Sequence, residues 1–280
     1  MLPVSPAGRR YGVYRDNPLH PARTLLRLSV PADIQLPPKA STSQWMGRIR
    51  DQGQEGSCTG QMGSALRDAL YRKLYIFEKD KSVVPSALSV SASFVYKCNL
   101  IADGDLGTDA GSSIHQTFIT LNQKGACLEA LEPYSDNDYS APPSAAQYAG
   151  GLTYRGGSYH FLPDLITMKA CIASGYPLGF GISVYSSFED SWSVAGQMPM
   201  PDVKTEQLLG GHAQPVFDYD DDLVFADGYK GGLLIQNSWG TNWGVSAPGR
   251  TDGGCYWMPY AYVEAGLAND AWMMHLGRPW

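Results

Sequence analysis

Gln52-Gly53-Gln54-Glu55-Gly56-Ser57-Cys58-Thr59-Gly60 decides how the rest of this chain reads. A glycine-punctuated loop runs into a stretch with helical spacing, in which Met62, Ala65, Leu66, Ala69, Leu70, Leu74 and Phe77 fall on one side. Ser57 fits an N-cap, which puts Cys58 in the first turn. Free N–H groups and the positive end of the helix dipole favour an anion there. A thiol held at such a spot ionises more readily, and the thiolate is the reactive form. A cysteine at a helix start is more often a buried core residue, so Cys58 alone assigns no chemistry.

The 280 residues are enough to bury one large core or two packed lobes. A net charge of −6 with no lysine/arginine block argues against a nucleic-acid partner. No apolar run approaches the roughly 20 residues that span a bilayer, so no membrane partner is expected. Met1-Leu2-Pro3-Val4-Ser5-Pro6 lacks the basic-then-apolar layout of a secretory leader, which leaves a cytoplasmic home or export by another route. Cys58, Cys98, Cys127, Cys171 and Cys255 contain no C-x-x-C pair, so no metal site is expected. If Cys58 is a free nucleophile, the other four allow at most two disulfides, or they are reduced core thiols. No cofactor is expected either. Gly179-Phe180-Gly181 has Val184 where a dinucleotide fingerprint needs its third glycine, and no P-loop is present.

Residues 1–35 read as an extended arm, rich in Arg and Pro, with Tyr11 and Tyr14 making it stickier than a linker. Residues 36–150 read as helical. After the helix at Cys58, helices are expected over Ser89–Asn99 and from Ser112 or Ser113 to about Lys124, with a plain polar loop over residues 103–111. The acidic residues of that loop lack the calcium-binding spacing. Residues 151–265 read as strand-rich, with strands over Gly179–Tyr185, Leu223–Phe225 and Leu233–Ile235. Residues 266–280 are expected as a tail packed on the lobes. A helical half before a strand-rich half is the outline of an α+β chain with two lobes.

Two further segments carry chemistry-bearing residues. Gly210-Gly211-His212-Ala213 places a histidine where glycines permit close backbone approach. Asn237-Ser238-Trp239-Gly240-Thr241-Asn242-Trp243-Gly244 follows the Leu233–Ile235 strand. With Gln52 before Cys58, these segments resemble, in order, the motifs of the papain-like cysteine peptidases. Gly254-Cys255-Tyr256-Trp257-Met258-Pro259-Tyr260 resembles the strand that closes that fold's second lobe. The arm and general layout look most like short bacterial members of that family, of the xylellain type.

The resemblance implies a papain-like two-lobed fold, with a cleft between a helical lobe and a β-barrel-like lobe. It implies Cys58 as nucleophile, His212 as acid/base and Asn237 as the group that orients the imidazole. Trp239 would cover the His–Asn contact, and Gln52 with the Cys58 N–H would form an oxyanion hole. Gly111, Ser112 and Gly211 would line the substrate cleft. The implied activity is endopeptidase hydrolysis of a peptide or protein substrate by a monomer, with the arm in or beside the cleft restraining it. A related transamidase or ligase, or a silenced binding protein, stays open on the residues alone. Departures from the pattern are Thr59 after the nucleophile, Glu55 in place of a disulfide cysteine, Gln214-Pro215 after Gly-His-Ala, and Asp218 where glycine is common. The proline is expected to disturb the strand that carries His212, and Asp220-Asp221-Asp222 to form a solvated turn.

Overall fold

Helix α2 (Cys58–Lys79) begins at the cysteine, as the spacing predicts. The computed structural model describes residues 2–14, 21–79, 88–190 and 195–275. His20, the Phe77 side chain and Asp80-Lys81 lie outside the described residues. The apolar side of α2, with Met62, Leu66 and Leu70, packs with Phe94 and Val95 of α3 (Ala92–Asp103) and with Phe118 and Leu121 of α4 (Ile114–Gln123). Helix α3 starts at Ala92 and not at Ser89, because the Ser91 side chain accepts the Phe94 N–H at 3.0 Å and caps the first turn. Ser113 caps α4 in the same way through the Gln116 N–H at 3.0 Å. A short α1 (Pro21–Leu25) precedes these helices, and α5 (Ala145–Thr153) closes the helical half.

The strands form one antiparallel sheet ordered β2-β7-β3-β4-β5-β6, with β1 (Lys39–Ser41) also paired to β4. The other ranges are β2 Tyr159–Leu162, β3 Leu178–Tyr185, β4 Leu208–Val224, β5 Lys230–Gln236, β6 Cys255–Pro259 and β7 Ala268–Met274. Helix α6 (Leu165–Ala173) follows β2, and the short α7 (Tyr260–Glu264) follows β6. Residues 268–274, expected within a packed tail, instead sit inside the sheet between β2 and β3. Trp272 and Met274 of β7 join the apolar cluster of the helical half, so this strand ties the two halves together.

Strand β4 also corrects two expectations. Asp220-Asp221-Asp222 lies within it, and Asp221 accepts hydrogen bonds from Lys169 at 2.9 Å and from the Tyr260 hydroxyl at 2.7 Å. Those partners, 39 and 52 residues away in sequence, replace the water a surface turn would offer. Pro215 does not break the strand. It pairs with Gly179 in β3, and the ladder with β5 begins one residue later at Val216↔Ile235, so the missing N–H removes no rung there. Asp218, where glycine is common, is buried and accepts the N–H groups of Thr42 (2.9 Å) and Ser43 (3.0 Å), fixing the turn that precedes the nucleophile loop.

All five cysteines are unpaired and buried, so the alternative of reduced core thiols holds. No described helix is long and apolar enough to cross a membrane.

Candidate active site

Helix α2 meets the sheet through its first turns. Cys58 and Met62 share an apolar cluster with Ala213 of β4. His212 and Gln214 lie two residues apart on β4 and so face the same side of the sheet. The next strand, β5, ends at Gln236, which delivers Asn237 to that side. His212 Nε2 lies 2.9 Å from Asn237 Oδ1. The same oxygen accepts the Gln214 Nε2 amide at 2.9 Å and the Ser238 backbone N–H at 2.8 Å. Gln214 Oε1 in turn accepts the Tyr256 hydroxyl at 2.5 Å. The Asn237 amide is thus held with its oxygen toward the ring, so Nε2 is the protonated nitrogen and donates. The other ring nitrogen, Nδ1, is buried and makes no hydrogen bond among the described residues.

Trp239 stacks on the imidazole, with ring centres 5.6 Å apart and planes 23° apart. Phe188 meets Trp239 edge-on at 5.3 Å. Together they wall the His–Asn contact from water.

Gln52 stands on the opposite wall. Its backbone N–H donates to the Ser238 carbonyl (2.9 Å) and its Oε1 accepts the Ser238 hydroxyl (2.6 Å). Nε2 spends one N–H on the Glu55 carbonyl at 2.8 Å, which leaves a second. The Ser57 carbonyl accepts the Gln61 N–H of α2 at 3.0 Å, while its hydroxyl, expected to cap the helix, is committed to the Tyr134 phenol at 2.8 Å.

The N-terminal arm lies between these walls. The Gly12 carbonyl accepts the Ser112 N–H at 2.8 Å, and the Val13 N–H donates to the Gly211 carbonyl at 3.0 Å. Both contacts are parallel bridges. A Cβ on Gly12 would come within 1.9 Å of the Gly56 carbonyl oxygen, and one on Gly111 within 1.9 Å of the Gly12 oxygen, so the backbones meet only because both residues are glycine. Arg9 lies 4.0 Å above the Trp239 ring, and Tyr11 meets the His212 ring edge-on at 5.8 Å. Tyr11 also donates to Glu189 at 2.5 Å, a carboxylate that Ser5 and the Ala7 N–H share.

With the arm in place, Cys58 and His212 are fully buried. Burial pushes the Cys58 thiol up to about 11, against the amides of Ala213, Gly12 and Thr59 that reach the sulfur. This corrects the expectation of a depressed thiol, because loss of water from a thiolate outweighs the helix start. Burial likewise pushes His212 down to about 4; the Asn237 bond works the other way, and the charge of Arg9 adds to the lowering. Thiol and imidazole are therefore both uncharged in this form.

All eight residues singled out from the sequence fall at this cleft: Cys58, His212, Asn237, Gln52, Trp239, Gly111, Ser112 and Gly211. Sequence reasoning missed Gln214, whose i+2 relation to His212 on a strand was the available signal. It also missed Asp109, assigned to a plain polar loop. That side chain is buried and accepts the Gly56 N–H (3.0 Å) and the Tyr96 hydroxyl (2.7 Å), with Arg10 of the arm 3.5 Å away.

The model of the papain family cysteine proteases matches residues 37–250. Xylellain, a cysteine protease from Xylella fastidiosa, is 29% identical, and the superposition covers 96% of each chain with a TM-score of 0.77. An uncharacterized peptidase C1-like protein of Acanthamoeba polyphaga mimivirus is 28% identical over 236 residues, 80% of this chain and 68% of the relative. A procathepsin B of Trypanosoma congolense, at 14% identity and a TM-score of 0.70 over 97% of this chain and 88% of that one, shares the fold. The protein belongs to the papain family of cysteine proteases and is a hydrolase with that family's two-lobed α+β fold.

Proposed function

We propose that the protein is a cysteine endopeptidase that cuts peptide bonds through a thioester on Cys58. The thiol gives its proton to His212 Nδ1 and attacks the peptide carbonyl. The imidazolium then protonates the leaving amine, and water, activated by the neutral ring, releases the acyl group. Asn237 holds the ring through Nε2, which leaves Nδ1 for the proton transfers. The second N–H of Gln52 and the Cys58 backbone N–H receive the oxyanion. The observation that carries this reading is the 2.9 Å His212–Asn237 contact beneath Trp239, with Nδ1 making no hydrogen bond among the described residues.

The arm restrains this activity. Its support is the pair of backbone bonds from Gly12 and Val13 to Ser112 and Gly211, the residues that would take substrate backbone. A neutral buried thiol and a neutral buried imidazole are the resting forms of both groups, and departure of the arm would restore water and the thiolate.

A thiol-directed epoxide inhibitor followed by peptide mapping tests the reading. Labelling on Cys58 that disappears in His212→Ala is expected. No labelling of Cys58, with or without residues 1–35, would sink it. Product analysis with added amine then separates hydrolysis from transfer.

A further inference from the structure

Three short oxygen–oxygen contacts meet at one phenol. Tyr134 Oη lies 2.9 Å from the Gln52 carbonyl oxygen, 2.9 Å from Glu55 Oε2 and 2.8 Å from Ser57 Oγ. Three hydrogen bonds need three protons. Tyr134 brings one, and Ser57 brings another. The Gln52 carbonyl brings none. If Glu55 is a carboxylate, two protons serve three contacts, and one pair of oxygens faces across 2.9 Å with nothing between. If Glu55 is a carboxylic acid, every contact closes: Tyr134 donates to Gln52, while Ser57 and Glu55 donate to Tyr134. The second Glu55 oxygen, Oε1, accepts the Asn137 N–H at 3.1 Å in either state.

We infer that Glu55 is a positioning residue of the nucleophile loop, kept as a carboxylic acid so that, through Tyr134, it clamps Gln52 and Ser57, the two ends of the loop that runs into Cys58. This rests on the peptidase reading above, because Gln52 matters only if an oxyanion forms beside it. The clamp is the polar counterpart of a cross-link: Glu55 and Ser57 belong to the loop, and Tyr134 and Asn137 to a segment that follows α4.

The surroundings favour the acid form. Glu55 is buried. Asp109, from the loop after α3, adds a negative charge, and Asp136 stands beside Gly53. Tyr96 of α3 donates to Asp109, and the Arg10 guanidinium of the arm reaches Asp109 and the Gln54 carbonyl. Desolvation is the first cause that pushes Glu55 up, to about 7, against the hydrogen bonds of Tyr134, Ser57 and Asn137. A carboxyl raised on folding holds a proton the unfolded chain has released. The native state therefore loses stability as pH rises from the ordinary 4.5 through about 7.

Glu55→Gln supplies the same two contacts at every pH, an N–H to Tyr134 and an oxygen for Asn137. The experiment compares full-length wild type, Glu55→Gln and Glu55→Ala in melting temperature and in kcat/KM across that range. Glu55→Gln should keep its turnover at low pH and hold it where wild type declines. Its melting temperature should gain on wild type as pH climbs through the window. Glu55→Ala should lose turnover by about tenfold or more at every pH, since it strands buried partners. A Glu55→Gln chain that fails to fold or matches Glu55→Ala, or a melting difference flat with pH, would overturn the inference. If wild type neither turns over peptide nor labels at Cys58, with or without residues 1–35, the peptidase reading fails, and the melting comparison still decides the state of Glu55.

Discussion

The two walls of the cleft hold their working groups by different chemistry. The sheet wall fixes His212 with neutral amides and rings: Asn237, Gln214, Tyr256 and Trp239. None of those four changes charge near neutral pH. On the helix wall Gln52 also bonds Ser238, but the loop that runs from it to Cys58 is anchored by two buried carboxyl groups, Glu55 and Asp109. The lesson is that one cleft combines a wall whose supports are indifferent to pH with a wall whose supports depend on it. The two titrating groups, His212 and Glu55, also have opposite slopes. His212, depressed from 6.5 to about 4, binds a proton in the unfolded chain that the folded one refuses, so it costs stability as pH falls through that window. Glu55 costs stability as pH rises.

The largest expected effect breaks the contrast at the helix wall. Gln52→Ala, in a chain freed of residues 1–35, should lower kcat by about 10²–10³-fold while leaving epoxide labelling of Cys58 intact, because thiol attack on an epoxide forms no carbonyl oxyanion that needs this donor. Equal loss of both would show that Gln52 merely holds the loop. Next comes the arm, which touches both walls. Gly12→Ala puts a methyl into the Gly56 carbonyl, and labelling of Cys58 in the full-length chain should rise by about tenfold or more. Unchanged labelling would mean that the arm does not govern access.

Gln214→Ala removes one of the donors that orient Asn237 and should cost about tenfold in kcat/KM. The loss should be the same from pH 5 to 8 (about the range a histidine spans), since no charge is involved; a loss that grows with pH would erase the difference between the walls. The smallest effect is expected from Tyr256→Phe, which frees only the far end of that chain. It should lower stability by about 1 kcal/mol by denaturant unfolding and leave turnover within error.

Much of the fold can be read without coordinates. Apolar spacing announces α2 and its cysteine, a serine announces the start of α4, and alternating or continuous apolar runs announce β3 and β5, while the start of α3 falls three residues later than the sequence suggests. The identities of Cys58, His212 and Asn237 follow from the resemblance of three separated motifs, not from any local periodicity. The network around Tyr134 is different. Its partners lie 77, 79 and 82 residues away, and nothing near Tyr134 in the sequence signals a shared proton. Strand β7 escaped notice because its place in the sheet depends on β2 and β3, and Asp109 escaped because a buried carboxyl looks like any other acidic loop residue until its donors are in view.

What the residues alone determined is the set of chemical groups and the local elements that carry them, since helix spacing, caps and strand patterns act over a few positions. Only the tertiary structure decided the ionisation states. The thiol at the helix start is fully buried beneath the arm and pushed up by that burial, because the cost of a buried charge depends on everything packed around it and not on its neighbours in the chain.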